Sequence, residues 1–237
     1  MATKELNGNG KIVVARTEIY APHLGEVLAF SLPMEGPDYF KNVMSAIDQD
    51  KGLRPTTGQT FSLVDLALKN PDEEHCKDIL SKFRNRYFWT ATENLWGEKD
   101  VIVYDNVDGK MPTNRKDLIK MHKDGNPAVR VVSYGFQTGS QLVSDFVKNP
   151  YVLAQVDGDK AFAEDVVARV AEKISKHKPY VGALNPTTED VKRYTALYSY
   201  WDDDRLDLVG DGDDYYGNGC ASRVRSASAE SAKPQKK

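Results

Sequence analysis

The sequence predicts an α+β fold, and three observations carry that reading. Short β-rich runs and short amphipathic runs are mixed without the strand–helix–strand regularity of a doubly wound sheet. Turn signals built on Gly, Pro and Asn separate them at short intervals. One stretch, 161–176, sets Phe162, Val166, Val170 and Ile174 four residues apart, the stripe of an amphipathic helix.

The elements follow in order. The first ten residues are polar and glycine-rich and read as loose. KIVVAR (11–16) and EVLAF (26–30) read as strands around a turn near Pro22 and Gly25. A helix is expected from Pro37 to Gln49, with Pro37 at its first position and Phe40, Val43, Met44 and Ile47 on one face. Ser62 is expected to cap a short helix in SLVDLALKN. Asp72 to Arg84 reads as a further helix, with acids in its first turn and Cys76, Ile79, Leu80 and Phe83 as its stripe. RYFWTATENLW (86–96) and VIVYDN (101–106) are strands by their aromatic and β-branched content, with Phe88 and Trp96 as core residues. A basic helix over 115–122, a strand over 129–132, a short helix over 141–147 and a strand over 151–156 come next. The 161–176 helix ends at Pro179, and PYVGAL resumes an extended run. The chain reads as one domain over 1–225, with SASAESAKPQKK (226–237) as a disordered tail.

Composition narrows the function classes. The 237 residues carry a net charge of −3, which argues against broad nucleic-acid binding. No apolar run approaches the length of a membrane span, so no membrane insertion is expected. MATKELNGNG has no apolar stretch of the secretory kind. Four scattered His (23, 75, 122, 177) form no HExxH or His-x-His pair, and Cys76 and Cys220 form no CxxC. No phosphate-binding or nucleophile-elbow motif is present, so no cofactor, metal or catalytic group is expected. The aromatic run at 86–96 could stack on a base or sugar, but core packing accounts for it more simply.

The charge is unevenly spread. Asp202, Asp203, Asp204, Asp207, Asp211, Asp213 and Asp214 face only Arg205 between residues 197 and 222, a local charge of −6, so the remainder carries +3. An EF-hand loop starting at Asp211 would need Gly at its sixth position and Glu at its twelfth. The chain has Tyr216 and Ser222 there. A looser calcium site, or a metal-dependent enzyme using Asp 202–214, is the alternative reading.

The stretch LYSYWDDDRLDLVGDGDDYYGNGCASRVR (197–225) combines a frame with a repertoire. The frame is Trp201, Arg205, Leu206, Leu208, Gly210, Gly219, Ala221, Val224 and Arg225. The rest is Asp, Tyr, Ser and Asn, the chemistry of an antibody paratope. W-x-D-D-R-L-x-L-x-G (201–210) and the closing G-x-A-x-x-V-R (219–225), together with FWTATEN (88–94), resemble the variable proteins of diversity-generating retroelements in archaea, their viruses and phages. The resemblance implies a C-type-lectin-like fold, related to that of formylglycine-generating enzymes, whose C-terminal hairpin displays variable side chains to solvent. It implies binding of a protein or cell-surface ligand, in a virion-associated or surface-displayed setting, and no catalysis.

Such diversification rewrites AAC or AAT codons to NNY, which cannot encode Lys, Glu, Gln, Met or Trp. Those first four types make up 44 of the 237 residues, so 29 positions should hold about 5 by composition alone; residues 197–225 hold none. The expected variable positions, within a region of about 197–223, are Tyr198, Tyr200, Asp202, Asp207, Val209, Asp211, Asp213, Asp214, Tyr215, Tyr216 and Asn218. Cys220 and Ser222 are weaker members. Strand alternation turns Leu206 and Leu208 inward and Asp207 and Val209 outward, while Gly217 and Gly219 serve the turn before the final strand.

Overall fold

The computed structural model describes residues 3–13, 18–174, 176–200, 204–214 and 217–227, without the side chain of Tyr200. The architecture is α+β, with sheets dominating.

A five-stranded antiparallel sheet collects β1 (Thr3–Glu5), β2 (Lys11–Val13), β3 (Glu18–His23), β4 (Glu26–Ser31) and the last strand, β14 (Val224–Ser226), in that spatial order. A mixed nine-stranded sheet is centred on β6 (Tyr87–Trp96). It runs β5 (Glu35–Asp38), β13 (Gly219–Ala221), β6, β11 (Val191–Tyr200), β12 (Arg205–Gly212), β10 (Tyr180–Gly182), β9 (Gly139–Ser140). β7 (Asp100–Asp105) also pairs with β6 and carries β8 (Val129–Ser133) antiparallel on its other edge.

Helix starts are written in the sequence. Thr56 and Gln59 close a capping box on α2 (Thr57–Lys69), so that helix begins five residues before Ser62, which is a buried interior residue. Glu73 caps α3 (Glu74–Asn85), and Asn114 caps α4 (Arg115–Lys123). Helix α1 (Phe40–Gln49) starts three residues after Pro37, which lies instead in the edge strand β5, where a missing N–H costs no ladder bond. Pro22 is accommodated likewise: β2 pairs only with Glu18 to Tyr20, leaving Pro22 beyond its reach. Residues 143–146 form α5, inside the expected helix. Residues 150–155 are not a strand but α6 (Pro150–Gln155), capped by Asn149 with Pro150 in its first turn. The 161–176 helix is α7 (Lys160–Phe162), which passes through a π-turn (Ala163–Val167) into α8 (Ala168–Ile174). Ser226 closes β14, and Ala227 N–H donates to Val27, so the structured chain extends two residues past 225. Residues 228–237 lie outside the description.

The central strands divide the molecule. Phe88, Leu197, Leu206 and Leu208 turn one way into the main core, which also takes in α2, α3 and α8. Trp89 and Ala196 turn the other way, against Phe40, Val43 and Met44 of α1. This second face carries the site. Register shifts in the pairing of β11 at Tyr194/Ala196 interrupt its ladders to both β6 and β12 beside it.

Candidate functional site

A cleft of about 120 Å³ opens on that second face. Trp89 and Ala196 form its floor, Tyr87 one wall, and Tyr198, Val209, Asp211 and Asp213 the rest. Four of the eleven expected variable positions therefore meet in one concavity built on residues outside the expected variable set. The floor is braced by a relay of rings. Tyr198 lies edge-on to Tyr87 at 4.7 Å, Tyr87 stacks on Trp89 at 5.8 Å, and Phe40 packs edge-on to Trp89 and flat on Tyr194 at 3.7 Å.

Of the seven other positions, the structure describes the side chains of Asp207, Asp214 and Asn218. Val209 is half-buried on the outward side, as expected. Asp207 is not displayed: it is 1% exposed, and Arg205 donates to it through Nε (2.5 Å) and Nη2 (2.8 Å). Its alternation is right, but Tyr198 and Arg205 cover it, and Arg205 in turn lies over the Tyr180 ring at 4.5 Å. Burial and the adjacent Asp207 push the Tyr198 phenol well above its ordinary range. Burial also raises the Asp211 carboxyl, with Asp213 adding to the effect and Arg193 opposing it.

Asp214 and Asn218 do local structural work as well as lying near the surface. The cap residue of α1, Tyr39, offers no side-chain bond; Asp214 instead accepts from the Lys41 backbone N–H (3.1 Å) and pairs with Lys41 Nζ (2.8 Å). Asn218 donates to the Asn85 carbonyl at the end of α3 (3.1 Å) and accepts from Arg86 Nη1 (2.5 Å). Cys220 and Ser222 are each 1% exposed and are not display positions. Burial pushes the thiols of Cys76 and Cys220 up to about 12, so neither is a ready nucleophile. Asp202, Tyr215, Tyr216 and the side chain of Tyr200 lie outside the described residues. Gly219 does not serve a positive-φ turn; its role is contact, because a Cβ there would run into the Trp89 indole.

Sequence reasoning left Tyr87, Trp89, Tyr39, Lys41, Arg84 and Arg86 unassigned to a surface. The aromatic run at 86–96 held the signal for the first two. Nothing in the sequence places the others beside residues 211–218.

Two features bear on catalysis. Among the described residues, no three His, Cys, Asp or Glu side chains are grouped as a metal would need. Ser62 Oγ lies 2.9 Å from His23 Nδ1, and His23 Nε2 lies 3.7 Å from Asp157. Ser62 sits inside α2 and is 3% exposed, so no substrate carbonyl reaches its hydroxyl in this arrangement.

The His23–Asp157 pair does give a pH prediction. Burial lowers His23 to about 4 and raises Asp157 to about 6. The Asp157 contribution to stability is present below pH 3.8 and is lost as pH rises through about 6. The His23 contribution is present above pH 6.5 and is lost as pH falls through about 4. Between pH 4 and 6 the two oppose, and the native chain shows little slope from this pair. Asp157→Asn should make stability rise with pH over 4–6.5, and His23→Gln should make it fall over 4–6, each by up to about 1 kcal/mol per unit. Melting temperature against pH for the three proteins checks this; identical profiles would contradict it.

No helix of the described residues is long and apolar enough to cross a membrane. Comparison of the chain with protein-family models, with curated proteins and with solved structures finds no match.

Proposed function

We propose that this chain is a ligand-binding display protein of the retroelement-diversified type, with a C-type-lectin-like fold. Its partner is a protein or cell-surface ligand gripped by the face of β6, β11 and β12 and by the residues that follow β12, Asp213 and Asp214 among them. The observation that carries the reading is the convergence of Tyr198, Val209, Asp211 and Asp213 on one cleft whose floor, Trp89 and Ala196, lies outside the variable set. Binding would work by complementarity, with aromatic anchors ringed by carboxylate acceptors.

The Asp-rich segment supports this better than a metal site. Asp207 is engaged by Arg205, Asp214 by Lys41 and Asp204 by Lys176. Carboxylates committed to basic side chains are poor ligands for a hard cation.

A library of NNY codons at 198, 209, 211 and 213, displayed and sorted for protease resistance, tests the reading. Most members should stay folded, with melting temperatures within about 4 °C of the parent, a shift of order 1–2 kcal/mol for a chain this size. The same library should yield binders when panned against a protein target. Loss of folding in most members would overturn the reading. So would a rise in the parent's melting temperature on adding calcium, which would favour the metal-dependent alternative.

A further inference from the structure

Two concavities meet at the Tyr87–Tyr198 ring pair. One is the cleft edged by Asp211 and Asp213. The other, about 200 Å³, lies beyond the pair, where α3 ends and β6 begins; Arg84, Arg86, Ser199 and Asn218 complete it. The two are opposite in charge. No carboxylate of the described residues lines the second.

Among the described residues, neither guanidinium group is held in an ion pair within 4.0 Å. Arg84 is exposed in the last turn of α3. The Arg86 side-chain hydrogen bond runs to a neutral acceptor, Asn218. Lys82 nearby is committed to Asp78, and Asp204, whose charge Arg84 feels, is held by Lys176. A cation at a helix C-terminus serves the helix dipole, which accounts for Arg84. It does not account for Arg86, which is already in extended backbone past the helix, nor for the concavity between the two.

We infer that this second cleft is a carboxylate-binding subsite, and that the partner is a protein segment setting an acidic side chain close to a basic one. The inference deepens the reading of this face as a recognition surface and rests on it. Guanidinium groups bind carboxylates with paired, charge-assisted hydrogen bonds, and the volume suits one side chain. A sulfated glycan or a nucleic acid would extend its repeated negative charge over Asp211, Asp213 and Asp214, and like-charge juxtaposition is penalised. A segment of alternating charge meets each cleft with its complement. Arg84 and Arg86 lie outside 197–223, so the two guanidinium groups are constant, while Tyr198 and Asn218 beside them and the acidic cleft belong to one draw of the variable set.

The test is titration of the full chain with an acetylated (Glu-Lys)4 peptide, read by the Nε–H signals of the arginine side chains and by fluorescence anisotropy. The Arg84 and Arg86 signals should shift saturably. The R84A/R86A variant, which alters no buried residue, should bind at least tenfold more weakly. Inorganic phosphate and a heparin octasaccharide should bind at least tenfold more weakly than the peptide to the parent protein. Unmoved arginine signals, unchanged affinity in R84A/R86A, or tighter binding of heparin through the same arginines would each overturn the inference. A D211N/D213N variant separates the two readings. If it alone loses the peptide, the acidic recognition face stands and the arginine subsite falls. If only R84A/R86A loses it, the arginine subsite stands and the acidic recognition face falls.

Discussion

Gly210→Ala and Gly219→Ala should each cost about 3 kcal/mol, because both additions force atoms into buried side chains that have nowhere to go. A Cβ on Gly210 would meet the Tyr151 hydroxyl, with Tyr151 Cζ at 2.8 Å and Asn94 Nδ2 at 3.2 Å. Tyr151 donates to Asn94 Oδ1 (2.9 Å), which also accepts from Gln155 Nε2 (2.7 Å), and Asn94 donates to Thr195. All four residues are fully buried, so displacing Tyr151 breaks a network with no water to replace it. A Cβ on Gly219 would strike the Trp89 indole, whose Nε1–H donates to the Asp38 carbonyl (3.3 Å) and whose ring is the cleft floor. Gly217→Ala should cost under about 1 kcal/mol, since its neighbour is the half-exposed ring of Tyr39, which can swing away. Chemical denaturation of the three variants checks the order. Gly210 and Gly219 variants as stable as the parent would show that these glycines are not frame residues.

Asp207→Ala should cost about 3 kcal/mol, even though its strand position reads as one of the displayed ones. The carboxylate is buried, takes two hydrogen bonds from Arg205, and is bonded by Tyr198. Removing one member of a buried pair leaves the desolvation of the other uncompensated. Arg205 keeps about a quarter of its side chain in solvent, which holds the loss at the lower end of the range for buried pairs. In a double-mutant cycle with Arg205→Ala, a coupling of about 2 kcal/mol is expected. An Asp207→Ala variant within 0.5 kcal/mol of the parent would return this position to the freely variable set.

How far the fold could be read from the chain depended on the range of the interactions. Local signals worked: the stripe of Cys76, Ile79 and Phe83, the aromatic strand β6, and the inward Leu206 and Leu208 are all where short-range patterning puts them. Competing local signals misled. YVLAQV is apolar and β-branched enough for a strand, but Asn149 and Pro150 start a helix there. Pro37 suits a helix start, yet an edge strand tolerates it equally. The site was legible as a segment and not as a surface. Asp214 meets Lys41 across 173 residues, and Asn218 meets Arg86 across 132, so no periodicity could reveal that these two also serve helix ends. Asp207 faces the expected side of its strand, but Arg205 and Tyr198 close over it, which alternation alone does not foresee.

Sequencing the DNA around the coding region tests the central claim most directly. Diversification predicts a near-copy of the stretch encoding residues 197–225, differing from it mainly at adenines, beside a gene for a reverse transcriptase. The differences should fall on codons such as those for Tyr198, Val209, Asp211 and Asp213 and spare those for Gly210 and Gly219. A neighbourhood holding neither the copy nor the reverse transcriptase would contradict the account.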